Sequence, residues 1–167
     1  AGHQPTEMVG IYARNMPEWT QADLGILAAR GVSVPIYPTS TLDQLRYIVK
    51  DAGIKLLFVG EQPQFDQALL LLKSGEINQI VTLDGTVDLR GCEQASHFQT
   101  FLVSGNHQPS ELALRMREQH YRMDDLLTLI YTSGTTGEPK GVMLDFNNIA
   151  ACFEMHDRRL DLGEQDV

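Results

Sequence analysis

The first 83 residues alternate between strand-like and helix-like hydrophobic patterns, and this alternation limits the fold more than any other feature. Four short apolar runs have the length of buried strands: 8–13, 32–36, 55–59 and 77–83. Three segments between them carry the apolar spacing of helices: 15–30, 41–52 and 64–73. Because strands connected through helices by short loops form right-handed crossovers, the pattern predicts an α/β fold with a mostly parallel sheet flanked by helices.

Residues at the ends of these segments predict where individual helices start and stop. Asn15 is expected to cap the first helix, with Pro17 in its first turn. Gly31 stands where a helix is followed by a residue of positive φ. Thr41 and Gln44 have the spacing of a capping box, which predicts the start of the second helix.

The second strand and the second half of the chain carry weaker signals. Pro35 cannot donate a ladder hydrogen bond, so the strand around it is expected to be short or irregular. Further on, the pattern predicts a loop at 84–97 and a short helix at 98–102. An amphipathic helix is predicted at 109–120, with Leu112, Leu114 and Met116 inward. Strands are predicted at 126–130 and 142–144, followed by a helix that Asp145 caps and that ends near His156. We therefore divide the chain into an alternating region at about 1–83, a connecting region at about 84–123, and a hairpin with its following helix at about 124–167.

A loop rich in glycine and hydroxyl side chains follows the apolar run at 126–130. It runs from Tyr131 to Gly141 and holds five hydroxyl side chains, three glycines and Lys140. Glycines let the backbone approach a ligand closely, and successive backbone N–H groups form a concavity that attracts anions. The hydroxyls add donors, and the lysine adds a positive charge. This composition predicts a loop that holds a polyphosphate.

The spacing within the loop excludes a Walker-type phosphate loop. That motif needs a glycine, four residues and then Gly-Lys-Ser/Thr at the start of a helix. Here Gly141 follows the lysine, where the magnesium-binding hydroxyl would be required, and residues 142–144 have the pattern of a strand. The remaining alternative is a hairpin turn without a ligand, although such turns rarely need so many hydroxyl groups together.

Charge and composition exclude several other classes of protein. The net charge of −9 argues against a nucleic-acid partner, because phosphate backbones select basic faces. No unbroken apolar run is longer than the five residues at 68–72, which is far too short to span a membrane, and we expect no secretory leader. Cys92 and Cys152 lack metal-ligand spacing and are expected to be free thiols. We expect a cytoplasmic protein, with peripheral contact at the inner face of a membrane left open.

The residues from Tyr131 to Gly141 closely resemble the phosphate loop of the adenylate-forming superfamily. This superfamily includes acyl-CoA synthetases, luciferases and the adenylation domains of peptide synthetases. Residues 9–19 resemble the opening of the large domain in these enzymes. Segments 34–39 and 45–52 are similar to the long-chain fatty acyl-CoA synthetase branch in particular. The resemblance therefore extends over nearly the whole chain.

The resemblance implies part of the large N-terminal domain of an adenylate-forming enzyme, and a reaction in two steps. The carboxylate of a fatty acid attacks the α-phosphate of ATP, giving an acyl-adenylate and pyrophosphate, and coenzyme A then displaces AMP to form the thioester. Such chemistry depends mainly on positioning and on neutralising the charge of the pyrophosphate. The resemblance assigns ATP binding to seven residues: Thr132, Ser133, Gly134, Thr135, Thr136, Gly137 and Lys140. It also makes Lys140 the catalytic residue and Thr135 the hydroxyl ligand of Mg²⁺, whereas Tyr131 either ends the strand or contacts the ligand.

The chain ends soon after this loop, and the family's segments for adenine, ribose and the acyl chain are not in it. We therefore expect a fragment that is inactive alone and that associates with itself through surfaces exposed by truncation. The pair Asp145-Phe146 departs from the family, since many relatives carry Thr-His at this point. Two alternatives stay open: an adenylation domain for another carboxylic acid, and a non-catalytic fragment that does not bind nucleotide.

Overall fold

The computed structural model describes residues 6–105, 120–132 and 138–160, and all elements below lie within them. In chain order they are β1 (Met8–Tyr12), α1 (Pro17–Ala28), β2 (Val32–Ile36), α2 (Leu42–Ala52), β3 (Leu56–Val59), α3 (Gln62–Lys73), β4 (Gln79–Thr82), β5 (Ala95–His97), α4 (Phe98–Ser104), β6 (Leu126–Thr132), β7 (Lys140–Asp145) and α5 (Phe146–Asp157). The strands form one seven-stranded sheet in the order β5-β4-β3-β1-β2-β6-β7. Neighbouring strands are parallel except β6 and β7, which form an antiparallel hairpin. The predicted α/β fold with a mostly parallel sheet is confirmed.

Helices cover both faces of this sheet. The helices α2 and α3 pack on one face, where Leu45 and Phe65 are fully buried. The helices α1 and α4 pack on the other face, where Ile26 and Phe98 join a second core cluster. Along β1 successive side chains enter the two cores in turn, as the two-residue period of a strand requires. The strand order reverses at β1, which lies between β2 and β3.

Two capping boxes begin helices where the sequence predicts them. The Thr41 hydroxyl accepts a hydrogen bond from the Gln44 amide (3.3 Å), and the Gln44 side chain accepts one from the Thr41 amide (2.9 Å). At its other end α2 is closed by Gly53, whose φ of 69° is left-handed. The same reciprocal pair joins Asp145 and Asn148 at the start of α5 (2.8 and 3.0 Å). Both predicted helix starts are confirmed.

The predicted cap at the start of α1 is wrong. Met16, and not Asn15, precedes the helix in an extended conformation, and its carbonyl accepts a hydrogen bond from the Trp19 amide (3.0 Å). Pro17 occupies the first turn as predicted. Because the ring of proline fixes a helical φ and disfavours helical geometry in the residue before it, the helix begins at the proline and the preceding methionine takes the cap position.

The left-handed residue after α1 is also one position earlier than predicted. Arg30 has a φ of 60°, and Gly31 has no positive φ. The Gly31 amide donates to the Ile26 carbonyl (2.8 Å), and the Arg30 amide donates to the Leu27 carbonyl (2.8 Å). This pair of bonds is the Schellman arrangement, in which the left-handed residue is the first of the two donors. The side chain of this left-handed arginine forms an ion pair with Asp125.

The connecting region contains a strand that the sequence did not predict. The strand β5 lies at the end of the predicted loop 84–97 and runs parallel to β4, with His97 opposite Thr82. The two side chains are in contact, with Thr82 Oγ1 at 2.8 Å from His97 Nδ1. Three residues are too few to show a two-residue hydrophobic period. The short helix predicted at 98–102 is confirmed as α4, whereas the helix predicted at 109–120 lies, up to residue 119, outside the described residues.

The predicted irregularity of β2 is visible on one of its sides only. The strand pairs with β1 along its whole length, including Pro35. Its pairing with β6 is limited to Ser33 and Thr128. The Thr128 hydroxyl reinforces this contact by donating to the Ser33 carbonyl (2.8 Å). The carboxyl half of β6 therefore has ladder contacts with β7 alone.

The last hairpin and helix present apolar side chains to the surface. Among the described residues, Met143, Phe153 and Met155 are each more than half exposed. The helix α5 contributes no residue to either core cluster. Exposed apolar side chains next to an edge strand favour association. Self-association through this surface stays a prediction.

Candidate phosphate-loop site

The hairpin of β6 and β7 opens at the carboxyl edge of the parallel sheet. The strand β6 runs parallel to β2, so its last residue, Thr132, lies at the edge where β1 to β4 also end. Thr132 is opposite Lys140, the first residue of β7. In open α/β sheets, ligands bind outside the carboxyl ends of the strands. The connection between these two residues therefore leaves the sheet where such folds hold their ligands.

The structure brings together the two predicted site residues that it describes. Thr132 and Lys140 are partners across the hairpin, and both are exposed. Within the described part of the chain, the Lys140 ammonium group has no ion-pair partner. Five other predicted residues lie outside the described residues: Ser133, Gly134, Thr135, Thr136 and Gly137. The described geometry is thus that of the two ends of the loop.

Tyr131 anchors the first of these ends to α2. Its side chain is only 4% exposed, and its hydroxyl donates a hydrogen bond to Asp51 Oδ2 at 2.5 Å. Its ring also meets the ring of Tyr47 edge to face, with centroids 6.5 Å apart. Burial above all, and then the hydrogen bond and negative charge of Asp51, raise the pKa of the Tyr131 hydroxyl. Since this hydroxyl already donates its hydrogen bond to Asp51, the structure favours strand anchoring over ligand contact for Tyr131.

A second contact point lies one turn earlier on α2. The pKa of Tyr47 is raised by burial and by the neighbouring carboxylates of Asp51 and Glu138. Glu138 comes just before β7, so the Tyr47 side chain of α2 is near the second end of the loop as well. The sequence reasoning missed Asp51 and Tyr47 because they are about 80 positions from Tyr131 and belong to an ordinary amphipathic helix.

Gly141 lies across the hairpin from Tyr131, and the space above it is already filled. A Cβ at this position would come within 2.9 Å of Leu129 Cδ1 and 3.4 Å of Tyr131 Cζ. The residue after the loop lysine is therefore a glycine for a steric reason. A serine or threonine at this position, as in a Walker-type loop, would require the Leu129 side chain to shift.

Other side chains at the carboxyl edge fix the neighbouring connections. The Tyr12 hydroxyl donates to the Ser40 carbonyl (2.8 Å), and the Gln64 amide group donates to the Pro38 carbonyl (2.9 Å). These bonds hold the segment after β2, which is the strand next to β6. Sequence reasoning did not identify them, because each joins residues more than 25 positions apart.

Farther along the same edge lies a polar cluster with its own partners. Arg14 and Glu61 form an ion pair at 3.1 Å. Hydrogen bonds from the Thr86 hydroxyl and amide lower the pKa of Asp84, with smaller contributions from the charges of Arg14 and His97. These residues follow β1, β3 and β4, so β2 lies between all of them and the loop strand β6. The cluster organises the edge and does not touch the described ends of the loop.

Metal and membrane features are limited in the described residues. Within 6–105, 120–132 and 138–160, no group of three or more His, Cys, Asp or Glu side chains could hold a metal ion. The predicted Mg²⁺ ligand, Thr135, is outside these ranges. Both cysteines are free, as predicted. No helix in the described part of the chain is long and apolar enough to cross a membrane.

Comparison with known proteins gives a consistent result along the whole chain. The family model described as "AMP-binding enzyme" matches residues 1–167. The long-chain-fatty-acid–CoA ligase ACSBG2 of Rattus norvegicus is 32% identical over 175 residues. That alignment includes 99% of this chain and 26% of the relative, so the chain spans about a quarter of the length of this curated relative.

Solved structures share the fold at lower sequence identity. A long-chain-fatty-acid-CoA ligase (FadD1) from Archaeoglobus fulgidus superimposes with a TM-score of 0.68 at 20% identity, over 99% of this chain and 30% of that one. ATP-bound MatB from Rhodopseudomonas palustris superimposes with a TM-score of 0.64 at 23% identity, over 93% of this chain and 28% of that one. At this level of identity the likeness concerns the fold.

Proposed function

We propose that this chain, which belongs to the AMP-binding enzyme family over residues 1–167, supplies the phosphate-binding loop of an ATP-dependent long-chain fatty acid–CoA ligase. The observation that carries the proposal is the position of Thr132 and Lys140, which face each other at the carboxyl edge of the sheet. Between them the chain carries the Ser-, Thr- and Gly-rich sequence of a phosphate loop. The fatty acid as substrate is supported by the name of the rat relative.

The two described ends of the loop suit a polyphosphate. Lys140 is exposed and carries an ammonium group, and Thr132 is exposed at the start of the loop. We assign Lys140 to the β- and γ-phosphates of ATP, where its charge stabilises the pyrophosphate that leaves when a carboxylate attacks the α-phosphorus. Residues 132–137 would add backbone and hydroxyl donors to the same phosphates.

Mg²⁺ and coenzyme A complete the proposed reaction. Mg²⁺, when bound, would neutralise part of the phosphate charge, and the Thr135 hydroxyl is the residue of this chain assigned to it. The thiol of coenzyme A, as its thiolate, would attack the acyl carbonyl carbon and release AMP. No acyl or coenzyme A contact is assigned to the described residues, and we propose that the 167-residue chain does not form the thioester alone.

The alternatives within the reaction class concern the acid. The long-chain-fatty-acid-CoA ligase from Archaeoglobus fulgidus and ATP-bound MatB superimpose on this chain with similar TM-scores. The family match supports adenylate formation in general, and the name of the rat relative supports the long-chain acid. An adenylation domain for another carboxylic acid is the second candidate, and it predicts the same use of Thr132 and Lys140.

Calorimetric titration of the chain with Mg·ATP and with Mg·pyrophosphate tests the proposed phosphate site. We expect both ligands to bind, and Lys140→Ala to weaken each at least tenfold, because a charged hydrogen-bond donor to phosphate is lost. Lys73→Ala is the matched control: it removes the same charge from an exposed position at the far end of α3 and should leave both affinities unchanged.

Two results would contradict the proposal. Absence of binding to a folded sample would show that this chain does not supply a working phosphate site, which is the non-catalytic alternative. Equal weakening by both lysine substitutions would show a non-specific effect of charge. In a separate assay, protein-dependent formation of acyl-CoA from a fatty acid, Mg·ATP and coenzyme A would refute the inactivity of the isolated chain.

A further inference from the structure

We propose that Asp51 is a positioning residue for the phosphate loop: by holding the Tyr131 hydroxyl, it fixes Thr132 and Lys140 at the two ends of the loop. The inference rests on the proposed function, because Asp51 would hold in place the residues proposed to bind phosphate. The contact itself is a feature of the described structure. Asp51 would act only through Tyr131 and would not touch ATP.

Asp51 is well placed to hold another element. It lies in the last turn of α2, whose inner residues Leu45, Ile48 and Val49 are each no more than 4% exposed. The helix is therefore fixed by the core on its inner side. The backbone of Asp51 follows the helix, and its Oδ2 accepts the hydrogen bond of the Tyr131 hydroxyl at 2.5 Å, the short end of the range for O–H···O bonds.

The last residues of β6 have a backbone ladder with β7 and none with β2. The strand pairs with β2 at Thr128 only, and from Leu129 to Thr132 its register partners are all on β7. The strand β7 is itself an edge strand of the described sheet. The ladder between β2 and β6 therefore does not extend to the tip of this hairpin. Tyr131, the residue before Thr132, adds a connection from this tip to α2 through its side chain.

The hydroxyl of Tyr131 does more than fill the core. The edge-to-face contact with Tyr47 would persist with a phenylalanine, since it involves only the rings. The hydroxyl adds a directional bond to α2, the helix that shares a core cluster with Tyr131, and this bond fixes both the depth and the rotation of the tyrosine. Gly141, packed against the same ring, transmits that position to β7 and so to Lys140.

Amide hydrogen exchange by NMR on the whole 167-residue chain tests this inference without any nucleotide. The four variants are Tyr131→Phe, Asp51→Ala, Asp51→Asn and the double variant Tyr131→Phe/Asp51→Ala. We expect the protected amides among residues 131, 132, 140 and 141 to exchange at least fivefold faster in Tyr131→Phe and in Asp51→Ala. Asp51→Asn keeps a carbonyl acceptor for the hydroxyl, so its rates should stay closer to the wild type.

The double variant and two internal controls separate positioning from general destabilisation. If the two side chains act through one bond, the double variant should exchange no faster than the faster single variant. Amides of β1, such as that of Ile11, should keep their wild-type rates. Asp43→Ala removes an exposed carboxylate from the first turn of the same helix and should leave the hairpin unchanged.

Three results would overturn the inference: wild-type exchange of the hairpin in Tyr131→Phe, additive effects in the double variant, or equal acceleration in β1. The outcome is independent of the titration proposed above. Coupled acceleration in a chain that binds no pyrophosphate would refute the proposed function and leave the anchoring intact. Binding of pyrophosphate with unchanged exchange in the variants would support the function and refute the positioning role.

Discussion

Arg30 and Asp125, 95 positions apart in the sequence, form an ion pair between Nη2 and Oδ2 at 3.1 Å. The two side chains are only 17% and 21% exposed. Tyr121 lies beside them, with its ring centre 5.6 Å from the guanidinium carbon and its hydroxyl donating to the Leu27 carbonyl. Because Asp125 directly precedes β6, this pair ties the start of the loop-bearing strand to the end of α1.

Removing Asp125 should destabilise the fold measurably. In Asp125→Ala the partly buried Arg30 would lose its ionic partner, and the Arg122 amide would lose its acceptor. We expect a loss of about 1–3 kcal/mol in the free energy of unfolding, between the typical values for exposed and for buried pairs. Urea unfolding followed by circular dichroism measures this loss.

The neighbouring carboxylate provides the matched control. Asp124 pairs with Arg122 at 2.9 Å, but these side chains are 62% and 73% exposed. Asp124→Ala should therefore change the free energy of unfolding by less than about 0.5 kcal/mol. Equal losses for the two variants would show that the Arg30 pair has no special part in the fold.

Adding a methyl group at Gly141 should strain the hairpin. In Gly141→Ala the new Cβ would lie 2.9 Å from Leu129 Cδ1, so the leucine must shift. Overpacking of this kind lowers the free energy of unfolding by about 1–3 kcal/mol. Because the end of the Leu129 side chain is flexible, we expect a loss in the lower part of that range. Thermal unfolding monitored by calorimetry gives the change in stability.

Gly85→Ala is the matched control, because the added methyl group would lie in open space. A Cβ there would meet no atom within 4 Å, and its backbone has no positive φ. Gly85→Ala should be neutral, or more stable by about 0.4–1 kcal/mol because the unfolded chain loses freedom. If Gly141→Ala were as stable as Gly85→Ala, the packing of Leu129 against the hairpin would not be as described.

Glu76 should contribute to the pH dependence of stability. Its carboxylate accepts hydrogen bonds from the Ser74 hydroxyl (2.6 Å) and from Arg46 Nε (3.0 Å). The Ser74 bond, and then Arg46, lower the pKa of Glu76 against an opposing effect of burial. Because the folded pKa is below the unfolded value of about 4.3, the contribution is present above that pH and is lost as the pH falls through the folded pKa.

The Glu76→Gln variant should therefore lose less stability than the wild type on acidification below about pH 4.3. Melting temperatures measured between pH 6 and pH 3 would show this as a shallower acid limb. Ser74→Ala should give an intermediate slope, since it removes the first cause of the shift and keeps Arg46. An acid limb equally steep in wild type and Glu76→Gln would contradict the assignment.

Local signals predicted the elements well where a few adjacent residues determine the geometry. The Thr41 capping box and the Asp145 cap are of this kind, since each bond joins residues three positions apart. Prediction failed at the end of α1, where Arg30 adopts the left-handed conformation that was predicted for the next residue, Gly31. The Arg30 side chain pairs with Asp125, 95 positions away, and no local pattern contains that contact.

The same distinction applies to the site. The composition of the loop predicted phosphate binding, because glycines, hydroxyls and a lysine are adjacent in the sequence. The bond from Tyr131 to Asp51 joins residues 80 positions apart and depends on which helix packs under β6. The order of the strands decides that packing, and strand order follows from tertiary contacts that hydrophobic periodicity does not encode.

Chemical-shift mapping with Mg·ATP tests the central claim most directly, because it reports where on the chain the nucleotide acts. We predict saturable shifts of the Thr132, Lys140 and Gly141 amides, with no comparable shifts at Asp84 or His97 on the far side of the same edge. Lys140→Ala should raise the Mg·ATP concentration needed for these shifts at least tenfold while leaving the rest of the spectrum unchanged. A folded chain whose hairpin amides do not respond to Mg·ATP, or that responds only around Asp84 and His97, would contradict a phosphate site at this loop.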